Sequence, residues 1–301
     1  MTFRKLHPTF VAEASGVDLR NVHDSATLER IRAGMDEHAI LVFRGQPFTD
    51  AEQLAFAQRL DGELHSKTGI STVQKNRFGN EALTDISNVT EHGEIMEPGD
   101  RRRAYGLGNR LWHTDASFQD PPGRYSMLHA RVIPPVDADT EYADMRTAYD
   151  TLPEAMKARL DGLQAHHSIA YSRQTLGFEF SGDEAERLKG AVHPLVRTLP
   201  RTGRKSLYLA SHANRIVGWP VPDGRLLLRD LTEHATQREL VYRHRWRVGD
   251  LVIWDNRCTM HRATAFDDGA HKRELRRVTT LDIERAAAPS REQEKVESGR
   301  V

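Results

Sequence analysis

The sequence predicts a mainly β protein with helical insertions, and three observations carry that reading. Strand-like runs lie on both sides of a helical middle: "AILVFRGQ", "RYSMLHARVI" and "TEYADM" before it, "RWRVGDLVIWDNRCTMHRA" and "KRELRRVTTLDI" after it. The strands do not alternate regularly with helices, which argues against a parallel α/β sheet. No internal repeat divides the chain, so one all-β core decorated by helices accounts for the pattern.

The elements follow in order. "SATLERIRAGMDEHA" spaces Leu28, Ile31 and Met35 at helical intervals. "AILVFRGQ" is a compact apolar run stopped by Gly45 and reads as a buried strand. Thr49 and Glu52 have the capping-box spacing ahead of "AEQLAFAQRL", whose Leu54, Phe56 and Leu60 suit one helical face. Residues 61–110 are polar and weakly periodic apart from the strand-like "LTDISNV", the composition of a lid or binding loop. "RYSMLHARVI" and "TEYADM" are strand-like, and "LPEAMKARLDGL" is a helix with Leu152, Met156, Leu160 and Leu163 on one stripe. "SLYLA" is a strand and "GRLLLRDLTEHAT" a helix; Gly249-Asp250 is a turn that feeds the apolar run "LVIW". Residues 286–301, charged and small, are expected to be a flexible tail.

Composition narrows the function. The 301 residues carry 43 Lys plus Arg against 43 Asp plus Glu, so no net field draws the chain to nucleic acid or to an anionic membrane. Small molecules are the expected partners. Cys258 is the only cysteine, which excludes an internal disulfide and any multi-cysteine metal framework, so a metal would need nitrogen and oxygen ligands. "MTFRKLHPTFVAEASGVDL" lacks the apolar core of a signal peptide, and no stretch approaches the roughly 20 apolar residues of a membrane span. A cytoplasmic protein is expected.

The chemistry centres on "LWHTDASF". Read as an extended segment, it projects His113 and Asp115 to one face and Trp112 and Thr114 to the other. An H-x-D pair alone is weak, because fifteen histidines yield roughly one such spacing by chance. His92-Gly93-Glu94 has the same spacing in a polar loop. A facial triad of two histidines and one carboxylate, the arrangement of non-haem Fe(II) oxygenases, needs a third ligand. His261 is the best candidate, since it follows the buried strand "LVIWD" and a rigid strand can aim it inward. His166, His167, His234 and His271 sit in segments that read as helical or polar and suit the role less well.

In "KRELRRVTTLDI", strand alternation puts Arg273, Leu275, Arg277, Thr279 and Leu281 on one face and Glu274, Arg276 and Val278 on the other. Two arginines that point into a β core are costly unless each meets an anion. A dicarboxylic cosubstrate and an acidic substrate would supply those anions. The alternatives are internal acids or an exposed edge strand. Trp112 and Trp254 flank the candidate ligands and suit core packing better than ring recognition.

"LWHTDASF", "DTEYADMRTAYDTLP", "VGDLVIWDNRCTMHRA" and "KRELRRVTTLD", in that order, resemble the taurine and 2,4-dichlorophenoxyacetate dioxygenase family, closest to its phenoxyacetate-cleaving branch, from about Leu6 to Ile283. The resemblance implies a double-stranded β-helix (jelly roll) of the clavaminate-synthase-like type, with a single dioxygenase domain over residues 1–285. It implies Fe(II), 2-oxoglutarate as cosubstrate, and O2. By motif, His113, Asp115 and His261 match the metal ligands, Thr140 and Arg273 the contacts to the far carboxylate of 2-oxoglutarate, and Arg277 the arginine that receives the substrate's acid group. The implied reaction hydroxylates a small organic acid, releasing succinate and CO2. With an aryloxyalkanoate such as 2,4-dichlorophenoxyacetate, the hydroxylated ether falls apart to a phenol and glyoxylate. The same chemistry on an alkylsulfonate such as taurine is one alternative, and a non-catalytic jelly roll that binds small acids is another. A zinc hydrolase on the same ligands would lack an obvious general base and leave the arginine pair unexplained. A homo-oligomer is compatible with the family.

Two departures from the family pattern bear on substrate. The interval between His261 and Arg273 is one residue longer, within "AFDDGAHK", while the R-x-L-x-R spacing is intact. Where the phenoxyacetate enzymes carry a lysine after the "SNV" strand, this chain has Glu94, and a second lysine of the preceding loop has only Lys67 nearby.

Overall fold

The computed structural model describes residues 1–66 and 77–283, so Lys67 and the predicted tail at 286–301 lie outside the described residues. The chain opens with β1 (Thr2–Lys5), β2 (Ala12–Ser15), α1 (Ser25–His38), β3 (Ile40–Phe43) and α2 (Asp50–Asp61). After β4 (Leu83–Ser87) and α3 (Arg101–Gly106) come the long β5 (Gly123–Val132) and β6 (Thr140–Asp144). The helical middle holds α4 (Met145–Asp150), α5 (Glu154–Leu160), β7 (Gln164–His167), α6 (Ile169–Gln174) and α7 (Gly182–Arg187). Then follow β8 (Ala191–Pro194), β9 (Val196–Thr198), β10 (Lys205–Leu207), β11 (Ala213–Ile216) and α8 (Val221–Ala235). The chain returns to sheet in β12 (Val241–His244), β13 (Leu251–Asp255), β14 (Thr259–Ala263) and β15 (Glu274–Leu281).

Seven strands form the major sheet in the order β1-β2-β3-β13-β5-β15-β4, antiparallel except for the parallel β2–β3 pair. A three-stranded sheet, β12-β6-β14, lies across it, and smaller sheets β11-β7-β8 and β10-β9 attach at the side. Alternation along the major sheet sorts its side chains between two cores. Leu41, Phe43, Met127, Ile253 and Val278 pack against Leu28, Ile31 and Met35 of α1 and Phe56 and Leu60 of α2. Ile40, Val42, Leu128, Val252, Trp254 and Leu275 face the opposite way and meet Tyr142 of β6. Each such side chain, fully buried, contributes roughly 1.5–3 kcal/mol. Functional groups on the second face of β5, β13 and β15 are thereby held inside the gap between the two larger sheets.

Local chemistry explains where the elements begin and end. The capping box is present: Thr49 Oγ1 accepts from the Glu52 N–H at 3.2 Å, and Glu52 Oε2 accepts from the Thr49 N–H at 2.8 Å. The buried face of α2 is turned by one residue from the expected stripe. Gln53 is buried and Leu54 only half-buried, because Gln53 Nε2 donates to the carbonyls of Met127 and Arg276 at 3.0 and 2.9 Å. Helix α8 starts three residues before the expected Gly224, with proline in its first turn, where a missing N–H costs nothing. Helix α5 is shorter than expected, and Gly162 at φ +72° follows it. "SLYLA" contributes only the end of a three-residue strand.

Three expectations need correction. Residues 61–110 are not all irregular: Asp100 Oδ1 caps α3 by accepting from the Arg102 N–H at 2.8 Å, and a 3-10 turn, Leu107–Arg110, follows. That helix has no apolar stripe to betray it, only the buried Tyr105. His166 and His167 lie on strand β7, not in helical surroundings. "LWHTDASF" is not a strand: its only pairing is a single bridge at His113, after which the chain turns.

Candidate active site

That bridge is the device that joins the two imidazoles. His113 N–H donates to the His261 carbonyl at 3.0 Å and His261 N–H donates back at 2.8 Å, so the residues face each other directly across the pair. Their rings lie 4.2 Å apart. Asp115 joins them from the following turn: His113 Nε2 is 3.9 Å from Asp115 Oδ1, and His261 Nε2 is 3.8 Å from Asp115 Oδ2. Both gaps are too long for hydrogen bonds. The three residues are buried, their ligand atoms all lie within 4.8 Å of one another, and they are the only such group among the described residues. His92 and Glu94 are exposed and belong to no such group.

The protonation states suit a divalent cation. His113 Nδ1 is 2.7 Å from the Leu111 carbonyl, which can only accept, so the proton sits on Nδ1 and Nε2 is bare. Burial lowers the His113 pKa to about 4, with the Asp115 charge opposing, and burial and the neighbouring His113 push His261 well below its ordinary value. Asp115 stays ionised: burial acts to raise it, but the Arg277 guanidinium, with the Ser126 hydroxyl, outweighs this and holds it below its usual value. Two neutral imidazoles and an ionised carboxylate that do not bond one another form the donor set of a 2-His-1-carboxylate centre.

The two arginines meet different fates. Arg277 lies on β15, which is paired on both sides, to β5 and β4, so it is not on an exposed edge. Arg273 stands one residue ahead of that strand rather than on it, buried, with its N–H donating to Asn88 Oδ1 at 2.8 Å. Arg277 donates from a terminal nitrogen to Asp115 Oδ1, so the internal-acid alternative applies to it. Arg273 has no carboxylate partner among the described residues; its Nε donates to the Ala138 carbonyl at 3.1 Å. Burial lowers its pKa to about 10, with Tyr142 and Asp139 opposing, so it stays charged at neutral pH. Thr140 sits on the facing strand β6, paired with both His244 and Ala263, and its Oγ1 accepts from Trp246 Nε1 at 3.0 Å.

An inner cavity gathers His113, His261, Thr140, Arg273 and Arg277. A larger outer cavity lies against it, and Ile86, Asn109, Ala263, Arg273 and Arg277 line both. Met96, Tyr105, Leu107 and Phe266 give the outer cavity apolar walls, with Arg103, Arg110 and Asp268 among its polar ones. Glu94 lines neither, and Trp254 is fully buried with its ring 4.6 Å from that of His261. Sequence reasoning missed Asn109, Ser126, Asn256 and Arg173. Ser126 Oγ donates to Asp115 Oδ2 at 2.7 Å; its inward position on β5 was available from the alternation, but a lone serine carries no signal. Arg173 is buried over the Tyr105 ring, and its guanidinium carbon would lie 2.1 Å from a Cβ at Gly108, so any larger residue there would displace the guanidinium.

A mainly β fold with a buried His-Asp-His cluster beside two buried guanidinium groups defines the class of non-haem metal oxygenases that take acidic cosubstrates. The chain belongs to the taurine catabolism dioxygenase TauD, TfdA family, whose profile matches residues 2–279. It is 47% identical over 278 residues to the alpha-ketoglutarate-dependent 2,4-dichlorophenoxyacetate dioxygenase of Cupriavidus pinatubonensis, covering 92% of this chain and 96% of that one. It is 36% identical over 271 residues to the (S)-phenoxypropionate/alpha-ketoglutarate-dioxygenase of Sphingobium herbicidovorans, covering 87% of this chain and 88% of that one. The crystal structure of AAD-2 in complex with Mn(II) and N-oxalylglycine superposes with a TM-score of 0.90 at 43% identity, over 94% of this chain and 98% of that one.

Proposed function

We propose that this chain is an Fe(II)- and 2-oxoglutarate-dependent dioxygenase that hydroxylates an aryloxyalkanoate, with 2,4-dichlorophenoxyacetate as the model substrate. The observation that carries the reading is the buried His113, Asp115 and His261 cluster with Arg273 beside it, which bonds no carboxylate among the described residues. The similarity to phenoxyacetate and phenoxypropionate dioxygenases supports the substrate class. The fold is read as a double-stranded β-helix from the facing major and β12-β6-β14 sheets, and residues 1–285 as one domain.

In this reading His113, Asp115 and His261 hold Fe(II), which with 2-oxoglutarate and O2 supplies the oxidising power and leaves succinate and CO2. Arg273 and Thr140 bind the far carboxylate of the cosubstrate, Arg273 through charge-assisted hydrogen bonds from a buried guanidinium. Arg277 receives the substrate's carboxylate. Because it also bonds Asp115, it ties the position of the acid to the metal ligands. The apolar walls of the outer cavity take the ring. Hydroxylation of the carbon between carboxylate and ether oxygen gives ArOCH(OH)COO⁻, a hemiacetal; loss of ArO⁻ with transfer of the hydroxyl proton yields the phenol and glyoxylate.

The test is a screen with ferrous iron, in which succinate and phenol are measured across phenoxyacetates, phenoxypropionates and alkylsulfonates. Succinate and phenol in equal amounts from a phenoxyacetate are expected. Turnover of taurine with none of the aryloxy acids would move the chain to the sulfonate reading. No succinate with any acid would leave a binding protein.

A further inference from the structure

A connected set of hydrogen bonds holds Asp115 from outside the His113 and His261 pair, and the proposed reaction does not use it. Strand β13 ends at Asp255, whose carboxylate accepts from the Arg257 N–H at 2.9 Å and whose carbonyl accepts from Thr259 Oγ1 at 2.8 Å. This turn places Asn256 in the interior with no exposed surface. Asn256 Oδ1 accepts from the Asp115 N–H at 3.1 Å and from Trp254 Nε1 at 3.0 Å. Asn256 Nδ2 donates to Ser126 Oγ at 2.9 Å, and Ser126 Oγ donates to Asp115 Oδ2 at 2.7 Å.

The donors and acceptors permit one arrangement only. The indole and the peptide N–H can only donate, which fixes the oxygen end of the Asn256 amide towards them. Its NH2 then faces Ser126, whose single proton goes to the acceptor-only carboxylate. The remaining Ser126 lone pair accepts from Thr279 Oγ1 at 3.0 Å. Ser126, Asn256 and Thr279 are all buried, so no water competes. One amide thus grips Asp115 at its backbone and, through Ser126, at its carboxylate, while also holding the indole that packs 4.6 Å from the His261 ring.

We infer that Ser126 and Asn256 are positioning residues that hold the Asp115 carboxylate in a single rotamer, with Oδ2 anchored and the group aimed between His113 and His261. The inference rests on the metal reading of that cluster. Outer partners of metal ligands change metal affinity by roughly 10- to 100-fold when removed.

The experiment is titration of the metal-free full-length chain with Mn(II), following the electron paramagnetic resonance of the free ion, with near-ultraviolet circular dichroism to check packing. Ser126→Ala is expected to weaken Mn(II) binding roughly 10- to 100-fold. Asn256→Ala, which also frees the Asp115 N–H, is expected to weaken it at least as much. Thr279→Val removes a hydroxyl from the same shell that does not touch Asp115, and its Mn(II) affinity is expected to stay near that of the unaltered chain. If Ser126→Ala fails to fold, the contrast between Asn256→Ala and Thr279→Val decides. Unchanged affinity in Ser126→Ala, or equal losses in all variants that fold, would overturn the inference and leave the metal reading intact. Absence of Mn(II) binding by the unaltered chain would overturn the metal reading and this inference with it.

Discussion

Around the inner cavity, positions are set from the backbone outward. His113 and His261 are locked by a reciprocal pair of main-chain hydrogen bonds, Thr140 is paired on both sides within its sheet, and Arg277 rides on a strand bonded on both edges, with Arg273 at the residue just before it. The outer cavity adds side chains from loops and a short helix to a wall of strand residues from β4, β14 and β15. Asp268 holds Arg103 at 2.7 Å and Arg110 at 3.3 Å, and Asn88 Nδ2 donates to the carbonyls of Asp268 and His271 at 2.7 and 2.8 Å. These ion pairs are partly exposed, with 20% and 37% of the two arginine side chains accessible against 22% for Asp268. The first kind of construction tolerates little error, because a buried group has no solvent to replace a lost partner. The second can be redrawn one pair at a time. This difference teaches how the two regions are built: the His113, Asp115 and His261 cluster is anchored on paired backbone, while the outer cavity adds loop side chains held by partly exposed ion pairs.

The largest effect that would break the comparison belongs to the inner cavity. Asp115→Asn or His261→Ala should bring iron-dependent succinate formation to background while circular dichroism of the folded chain is retained. Loss of the fold instead would mean that these buried groups serve structure first. Arg273→Ala should raise the 2-oxoglutarate concentration for half-saturation by roughly 10- to 100-fold, the span of a charge-assisted hydrogen bond worth about 1.5–3 kcal/mol. Arg277→Ala should chiefly raise the requirement for the organic acid. A reversed pattern in the two half-saturation curves would exchange the roles of the arginines.

Much of the inner cavity was legible in the sequence, and the reason is physical. The alternation expected for this segment holds for Leu275 and Arg277, and Leu275 joins the core between the sheets, whereas Arg273 stands one residue ahead of β15 and still lines the inner cavity. The alternation argued for His113 and Asp115 reaches the right residues through the wrong element: a bridge and a turn align them, not a strand. Nothing in "LWHTDASF" signals that His113 pairs with His261, since pairing depends on contacts far apart in the chain. The outer cavity was hardly legible at all. Helix α3 has three arginines and a single buried residue, and the close approach at Gly108 comes from Arg173, 65 positions later, whose guanidinium fills the space of its Cβ.

Acid sharpens the contrast between regions, because the deep histidines are held neutral by burial. His113 and His129 have pKa values lowered to about 4, and His167 to about 3, against 6.5 for an exposed imidazole. Between pH 6.5 and about 4 the unfolded chain therefore binds protons that the native chain does not, so stability is present above that window and is lost as the pH falls. Each such histidine costs about 1.4 kcal/mol per pH unit. Urea midpoints of the metal-free chain should fall steeply from pH 6.5 to 4.5 and change little from 7 to 8. A flat profile through the acid window would mean that these imidazoles are solvated.

The smallest expected effect lies at the outer rim. Asp268→Asn keeps the size of the side chain but removes the charge that ties Arg103 to Arg110. Partly exposed ion pairs are worth about 0.2–1 kcal/mol each, so the organic acid's half-saturation should shift only a few-fold. The 2-oxoglutarate curve should stay put, since Asp268 lines the outer cavity and not the inner one. The direction of the shift carries the information. Freed from Asp268, Arg103 and Arg110 would offer positive charge to the far end of the substrate, so aryloxy acids with a second anionic group on the ring should gain relative to those with a neutral ring. Equal shifts for both substrate types would show that the rim sets shape alone, and a matching shift in 2-oxoglutarate would erase the distinction between the two cavities.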